Sequence, residues 1–207
     1  MESHSTAELP EDMIDEIQFE IPEAPYDSVV HHLRRSAVKF CEESHYWQEE
    51  IDPLVVLTGV QSYDLSAART VAIVSVIKVS SIDRELCRSQ DDAVQYRYWQ
   101  PSPFTIDIFP SENLSGQEIT ILASLKPALY SGNFKVSTSL ISDYRDALIA
   151  GAKSMLYKTP RKAWTDLNQA QINQYVFDED ARDSLLMRSR GYSRLPDRSV
   201  SKKRNFY

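Results

Sequence analysis

His45 and Glu49 stand four residues apart, a spacing at which two side chains on one helix face could share a metal ion. Close to a helix end, the same pair reads more simply as two exposed side chains. His31 and His32 are neighbours, so they point to different faces of a helix and read as solvated or interfacial groups rather than ligands. Carboxylates sit side by side at Glu42-Glu43, Glu49-Glu50, Asp91-Asp92 and Asp178-Glu179-Asp180. Glycosidic chemistry needs two acids facing each other across a cleft, and acids adjacent in sequence read instead as solvated helix or turn residues. The five glycines, Gly59, Gly116, Gly132, Gly151 and Gly191, spell no GxGxxG and no GxxxxGK[ST], which excludes the usual phosphate loops. There is no GxSxG elbow either. Trp47 and Trp164 read as packing residues, and Trp99 in YRYWQPSPF as the most exposed of the three tryptophans. The expectation is a protein that is not an enzyme and has no metal site and no cofactor.

Charge gives a stronger pattern. The chain of 207 residues has a formal charge of −7, yet its last stretch, RSRGYSRLPDRSVSKKRNFY, is basic. Arg188, Arg190, Arg194, Arg198, Lys202, Lys203 and Arg204 face the single acid Asp197 there, interleaved with Tyr192, Phe206 and Tyr207. No apolar period runs through it, so it reads as a segment outside the core that docks elsewhere. Residues 1–25 are the converse, with Glu2, Glu8, Glu11, Asp12, Asp15, Glu16, Glu20 and Glu23 and no lysine or arginine. An acidic body repels phosphate, so only the basic segment could bind nucleic acid unaided.

The elements that must position these residues follow from periodicity. YDSVVHHLRRSAVKFCEESHYW predicts a helix from about Tyr26 to Trp47, with Val29, Val30, Leu33, Ala37, Phe40 and Cys41 on one stripe. From Ile51 the pattern changes to short β-branched runs: PLVVLTG, SYDL, RTVAIVSVIKVSS, ELCRS, FTIDIFPS and EITILASLKP. No helical crossover separates them, which predicts an antiparallel sheet. Another helix is expected in STSLISDYRDALIAGAKSMLYKTP, where Gly151 implies close approach of another backbone. Pro160 ends it, and Asp166 caps a third, LNQAQINQYVFDEDARDSLLMRSR, whose outer face is unusually polar. The fold class expected is α+β, a bundle of three main helices (26–50 and 138–187) with an inserted antiparallel β domain (51–137). Extended arms flank it, acidic at 1–25 and basic at 188–207. The N-terminus lacks the features of a secretion signal, so Cys41 and Cys87 are expected as two free, buried thiols in a reducing cytoplasm. No apolar run is long enough to span a membrane.

Three segments together resemble the head-to-tail adaptor, or connector, proteins of short-tailed bacteriophages. They are FCEESHYW followed by Tyr63-Asp64-Leu65, then LISDYRDALIAGAKSMLYKTPRKAWTDLNQA, and then the basic end. The middle segment is similar to that family's long helix with a Gly-Ala pair, a proline break, a turn holding Trp164 and an Asp-capped helix. The family often has proline where Leu167 and Ala163 stand here. The resemblance spans about residues 25–190. It implies a virion protein at the head–tail interface, assembled in the host cytoplasm as a homo-oligomeric ring, commonly of twelve copies. Such a ring sits below the portal protein, lets DNA pass without sequence-specific binding, and offers a surface to tail nozzle or fibre proteins. It further implies that the basic C-terminal tail docks on portal, and that Pro160, Trp164 and Asp166 form a structural helix corner. The alternative is a nucleic-acid-associated protein that binds through the same tail.

Overall fold

The computed structural model describes residues 5–67, 70–91, 93–110, 113–130 and 133–190, with side chains as far as Arg188. In chain order the elements are β1 (Thr6–Ala7), α1 (Glu11–Glu20), α2 (Tyr26–Ser44), β2 (Gln48–Val55), β3 (Ser62–Asp64), β4 (Val71–Ser81) and β5 (Glu85–Arg88). They continue with β6 (Arg97–Ser102), β7 (Thr105–Phe109), β8 (Glu118–Pro127), β9 (Val136–Ser137), α3 (Thr138–Asp143), α4 (Arg145–Tyr157) and α5 (Leu167–Arg190).

The expected three-helix bundle with a small inserted antiparallel domain is not what forms. Among the described residues five helices pack with a curled, mixed sheet of seven strands in the order β2-β8-β4-β5-β6-β7-β3. β5 and β6 run parallel, Cys87 beside Arg97 and Arg88 beside Tyr98. Eight residues separate β5 from β6, and no helix forms among the described ones, so this short parallel contact is made without a helical crossover. Nor is the sheet a separate domain. One continuous core joins Leu33, Phe40, Trp47 and Phe177 to Val79, Ile106, Ile108, Ile119 and Ile121.

The curl has a geometric cause. β2 and β3 are consecutive in sequence but lie at opposite edges of the sheet, joined only by residues 56–61. Six strand gaps of about 4.8 Å put the edges of a flat sheet roughly 29 Å apart, beyond the ~25 Å that the link from Val55 to Ser62 can reach. The sheet therefore bends into a half-barrel. β4 and β8 carry the bend in register shifts between Ile73 and Ser75 and between Val76 and Lys78. Inside lie Val76, Val79, Leu86, Tyr98, Ile106, Ile108 and Ile121, all buried. The alternation expected of β7 holds for Ile106 and Ile108, whereas Phe104 precedes the strand and is exposed.

α2 ends at Ser44, three residues before the predicted end at Trp47, because His45 takes a left-handed conformation (φ 50°) and turns the chain toward the sheet. Trp47 is buried at that joint, its Nε1–H donating to Glu49 Oε1 at 2.7 Å, while its carbonyl accepts the N–H of Leu125 in β8. The helix predicted after the sheet is split at Tyr144 (φ −130°, ψ 30°) into α3 and α4. Tyr144 there packs its ring between Phe40 (4.7 Å) and Tyr46 (5.0 Å). Cys41 is buried, with its thiol pKa pushed up by burial and then by Glu42, but Cys87 is exposed. On β5 it is Leu86 that takes the inward position.

The acidic N-terminal segment is not an extended arm. β1 pairs with β9, and α1 buries Met13, Ile14 and Ile17. Its acids meet cations from α4: Arg145 contacts Glu16 at 2.6 Å and Asp12 at 3.2 Å, and Lys153 contacts Glu20 at 2.6 Å. Lys153 is 9% exposed in its side chain, so losing its carboxylate strands a nearly buried cation. Glu20 is itself 47% exposed, which tempers the cost. Glu20→Ala is expected to lower stability by about 1–2 kcal/mol, below the roughly 3–5 kcal/mol of a fully buried pair. In urea unfolding the midpoint should fall at unchanged slope. Glu11→Ala, outside these pairs, should cost no more than about 0.5 kcal/mol.

Candidate docking surfaces

The helix corner expected at Pro160, Trp164 and Asp166 connects α4 to α5. Asp166 Oδ1 accepts the N–H groups of Asn168 (2.9 Å) and Gln169 (3.0 Å), satisfying two free donors at the start of α5. Thr165 closes the turn, its hydroxyl donating to the Thr159 carbonyl at 2.6 Å and accepting the Lys162 N–H at 3.0 Å. The half-buried Trp164 ring packs against the core with Lys162 Nζ 5.8 Å from its centre. Arg161 is in the left-handed region (φ 59°), which is how the chain reverses just after Pro160.

α5 meets the body through a narrow stripe, Ala170, Phe177, Ala181 and Ser184, at helical spacing. Leu167, Ile172, Tyr175 and Met187 are more than half exposed. Rings hold the helix along this stripe. Phe177 stands edge-on to Phe40 (5.8 Å), Phe40 meets Tyr144, Tyr144 meets Tyr46, and the Arg188 guanidinium lies 4.6 Å over the Tyr46 ring. Tyr46 is itself fixed by its hydroxyl, which donates to Asp143 Oδ2 at 2.6 Å. Helix and ring series thus run together to the point where the basic segment begins.

Of the basic residues read from the sequence, Arg188 lies on the last turns of α5 and packs on its own subunit, and Arg190 closes the helix. Tyr192, Arg194, Arg198, Lys202, Lys203, Arg204, Phe206 and Tyr207 lie outside the described residues. Asp178, Glu179, Asp180 and Asp183 crowd one stretch of α5. Asp180 has its pKa raised, first by burial and then by Glu179, Asp183 and Asp146. No ion pair relieves that cluster among the described residues.

His45 and Glu49 do not converge. His45 Nδ1 is 3.1 Å from the Ser124 hydroxyl, its pKa lowered by burial and then by Arg88, and Glu49 accepts from Trp47. His31 and His32 meet edge-on at 5.5 Å, and the pKa of His32 is lowered by burial, then by His31 and Arg35. Among the described residues no three His, Cys, Asp or Glu side chains gather as metal ligands. Nor is any helix among them long and apolar enough to cross a membrane. A groove of about 610 Å³ runs along α2, lined by Leu9, Tyr26, Val30, His31, Arg34 and Phe134 among others. Its arginine is committed to a ring, Arg34 lying 5.2 Å over Phe134.

Compared with known proteins, the chain matches no family model and no curated protein. The resemblance to phage adaptors therefore rests on this chain's own residues.

Proposed function

We propose that this chain is a structural virion protein, a ring-forming adaptor that joins portal protein to the tail and extends the DNA channel. The observation that carries the reading is the fixed exit of the chain from α5. The ring series from Phe177 to Tyr46 and Arg188 holds the end of α5, so the segment that follows, basic and aromatic in sequence, begins at one defined place. In a ring of such subunits every copy presents that segment in the same direction. Weak single contacts then add up as avidity without any new contact type. The exposed apolar side chains of α5, Leu167, Ile172, Tyr175 and Met187, suit a helix that gains neighbours on assembly.

Mass measurement and negative-stain imaging of the protein mixed with portal from the same phage test the proposal. The expected result is a complex whose added mass is one adaptor copy per portal subunit, seen as an extra ring on the portal axis. Failure of the two to associate overturns it. So does a DNA mobility shift at physiological salt that disappears when Arg198, Lys202, Lys203 and Arg204 are replaced by alanine, which favours the nucleic-acid reading.

A further inference from the structure

Three guanidiniums lie over rings on neighbouring strands of the half-barrel: Arg84 over Tyr96 at 4.1 Å, Arg97 over Phe109 at 4.8 Å and Arg88 over Trp99 at 5.9 Å. Arg97 is built into the sheet, its Nη1 donating to the Val94 carbonyl at 2.9 Å. Arg84 and Arg88 are exposed, and neither is in an ion pair among the described residues. Of the carboxylates close by in sequence, Glu85 pairs with Lys78 at 2.8 Å and Asp91 accepts the Ala93 N–H at 2.9 Å, while Asp83 is exposed on the tip between Ile82 and Arg84 and is in no ion pair among the described residues. Beside Arg84 is the tip of the β4–β5 hairpin, closed by Ser81 N–H to the Arg84 carbonyl (2.8 Å) and Arg84 N–H to the Ser81 carbonyl (3.4 Å). Ile82 stands on that tip, 91% exposed.

We propose that this hairpin tip is a docking surface for a carboxylate-bearing protein partner. Ile82 enters an apolar recess of the partner, and Arg84 and Arg88 fork onto its aspartate or glutamate side chains. Stacking on a ring orients each guanidinium and removes part of the rotamer freedom that docking must otherwise freeze. The N–H edge stays free for bidentate contact, the geometry a carboxylate matches best. An exposed apolar side chain beside arginines is also the composition of an interface centre. Nucleic acid fits less well. Phosphate binding grows with the number of cations engaged, and two arginines on a chain of charge −7 supply little. A small anion would need enclosing walls, and a protruding tip has none. The proposal stands independently of the adaptor reading, because it concerns the sheet and its test involves no portal.

The test uses full-length protein with labelled arginine and tryptophan side chains, titrated by NMR with poly-L-glutamate, with a glutamate–tyrosine copolymer, and with a single-stranded oligonucleotide of matched charge. Site-resolved signals separate this surface from any binding by the basic C-terminal segment. The Trp99 indole N–H and the Arg84 and Arg88 Nε–H signals should shift saturably with both polypeptides. Arg84→Ala combined with Arg88→Ala should raise the apparent Kd read at Trp99 by at least about fivefold, the loss of two charge-assisted contacts. Ile82→Ser should weaken the copolymer more than poly-L-glutamate. Unmoved Trp99 and arginine signals overturn the proposal, as does an oligonucleotide that moves them at lower concentration than either polypeptide.

Discussion

On the adaptor reading proposed above, a chain ending at Arg190 is expected to melt at the same temperature as the full-length protein and not to bind portal. The stripe that seats α5, Ala170, Phe177, Ala181 and Ser184, stays in place, and so does Arg188 over Tyr46. The seventeen residues removed, 191–207, can reach on the order of 56 Å when extended, enough to cross a neighbouring protein layer. Within them Arg194, Arg198, Lys202, Lys203 and Arg204 can pair with carboxylates, while Phe206 and Tyr207 can fill an apolar pocket. The two kinds of contact should rank differently. Replacing Phe206 and Tyr207 by alanine should cost about 2 kcal/mol or more, roughly thirtyfold in Kd. Replacing Lys202 and Lys203 should cost at most about 1 kcal/mol, because exposed charges are screened. A cut after Met187 differs, since it removes the Arg188 stack and should lower the melting temperature as well. Retained portal binding by the 1–190 chain, or a costlier lysine pair, contradicts this account.

Where the sequence was legible, one local rule decided the outcome. Five of the six residues predicted for the α2 stripe, Val29, Leu33, Ala37, Phe40 and Cys41, are inaccessible to solvent, and the sixth, Val30, is half-buried. Asp166 makes the cap bonds its position implied. What stayed hidden depended on distant partners. Met13, Ile14 and Ile17 lie among acids whose counter-ions, Arg145 and Lys153, are about 130 residues further on, so composition alone reads as a solvated arm. The break at Tyr144 comes from ring contacts with α2 and Tyr46, and nothing in its own segment forbids continuation. Strand order escaped too, because the curl follows from which strands form the edges, and the runs themselves are silent on that. The candidate surfaces divide in the same way. The basic run could be read as charge, but its first member, Arg188, belongs to α5 and packs on Tyr46, a contact between residues 142 positions apart. Arg84 and Arg88 escape a reading of their own segment because the rings beneath them, Tyr96 and Trp99, come from the next strand and the loop before it. The alternation in YRYW, whose Trp99 is half-buried, is the one local hint.

Gly151→Ala puts two physical terms in opposition, and the structure says which prevails. Glycine inside a helix is unfavourable by about 1 kcal/mol relative to alanine, so on an exposed face the substitution would stabilise α4. At this position a β-carbon would overlap the Ser36 hydroxyl and lie 2.5 Å from Cδ2 and 2.9 Å from Cε2 of Phe177. Neither neighbour yields easily. Ser36 donates to the Leu148 carbonyl at 2.8 Å, and the Phe177 ring is fully buried against Phe40. Overpacking of this kind costs about 1–3 kcal/mol and sometimes more, which outweighs the gain in helix propensity. A net loss of about 2 kcal/mol, or roughly 4–8 °C in Tm for a chain of this length, is the expected result of thermal unfolding. On a Ser36→Ala background the loss should shrink, since one of the two obstructions is gone and the Leu148 carbonyl keeps its place in the helix. Because Phe177 seats α5, the strain should also displace the helix end at which the basic segment begins. The portal binding proposed for this chain should then be weaker in Gly151→Ala even at temperatures where the protein is fully folded. An unchanged or raised Tm would mean that α2, α4 and α5 do not approach as closely as the contacts around Gly151 require.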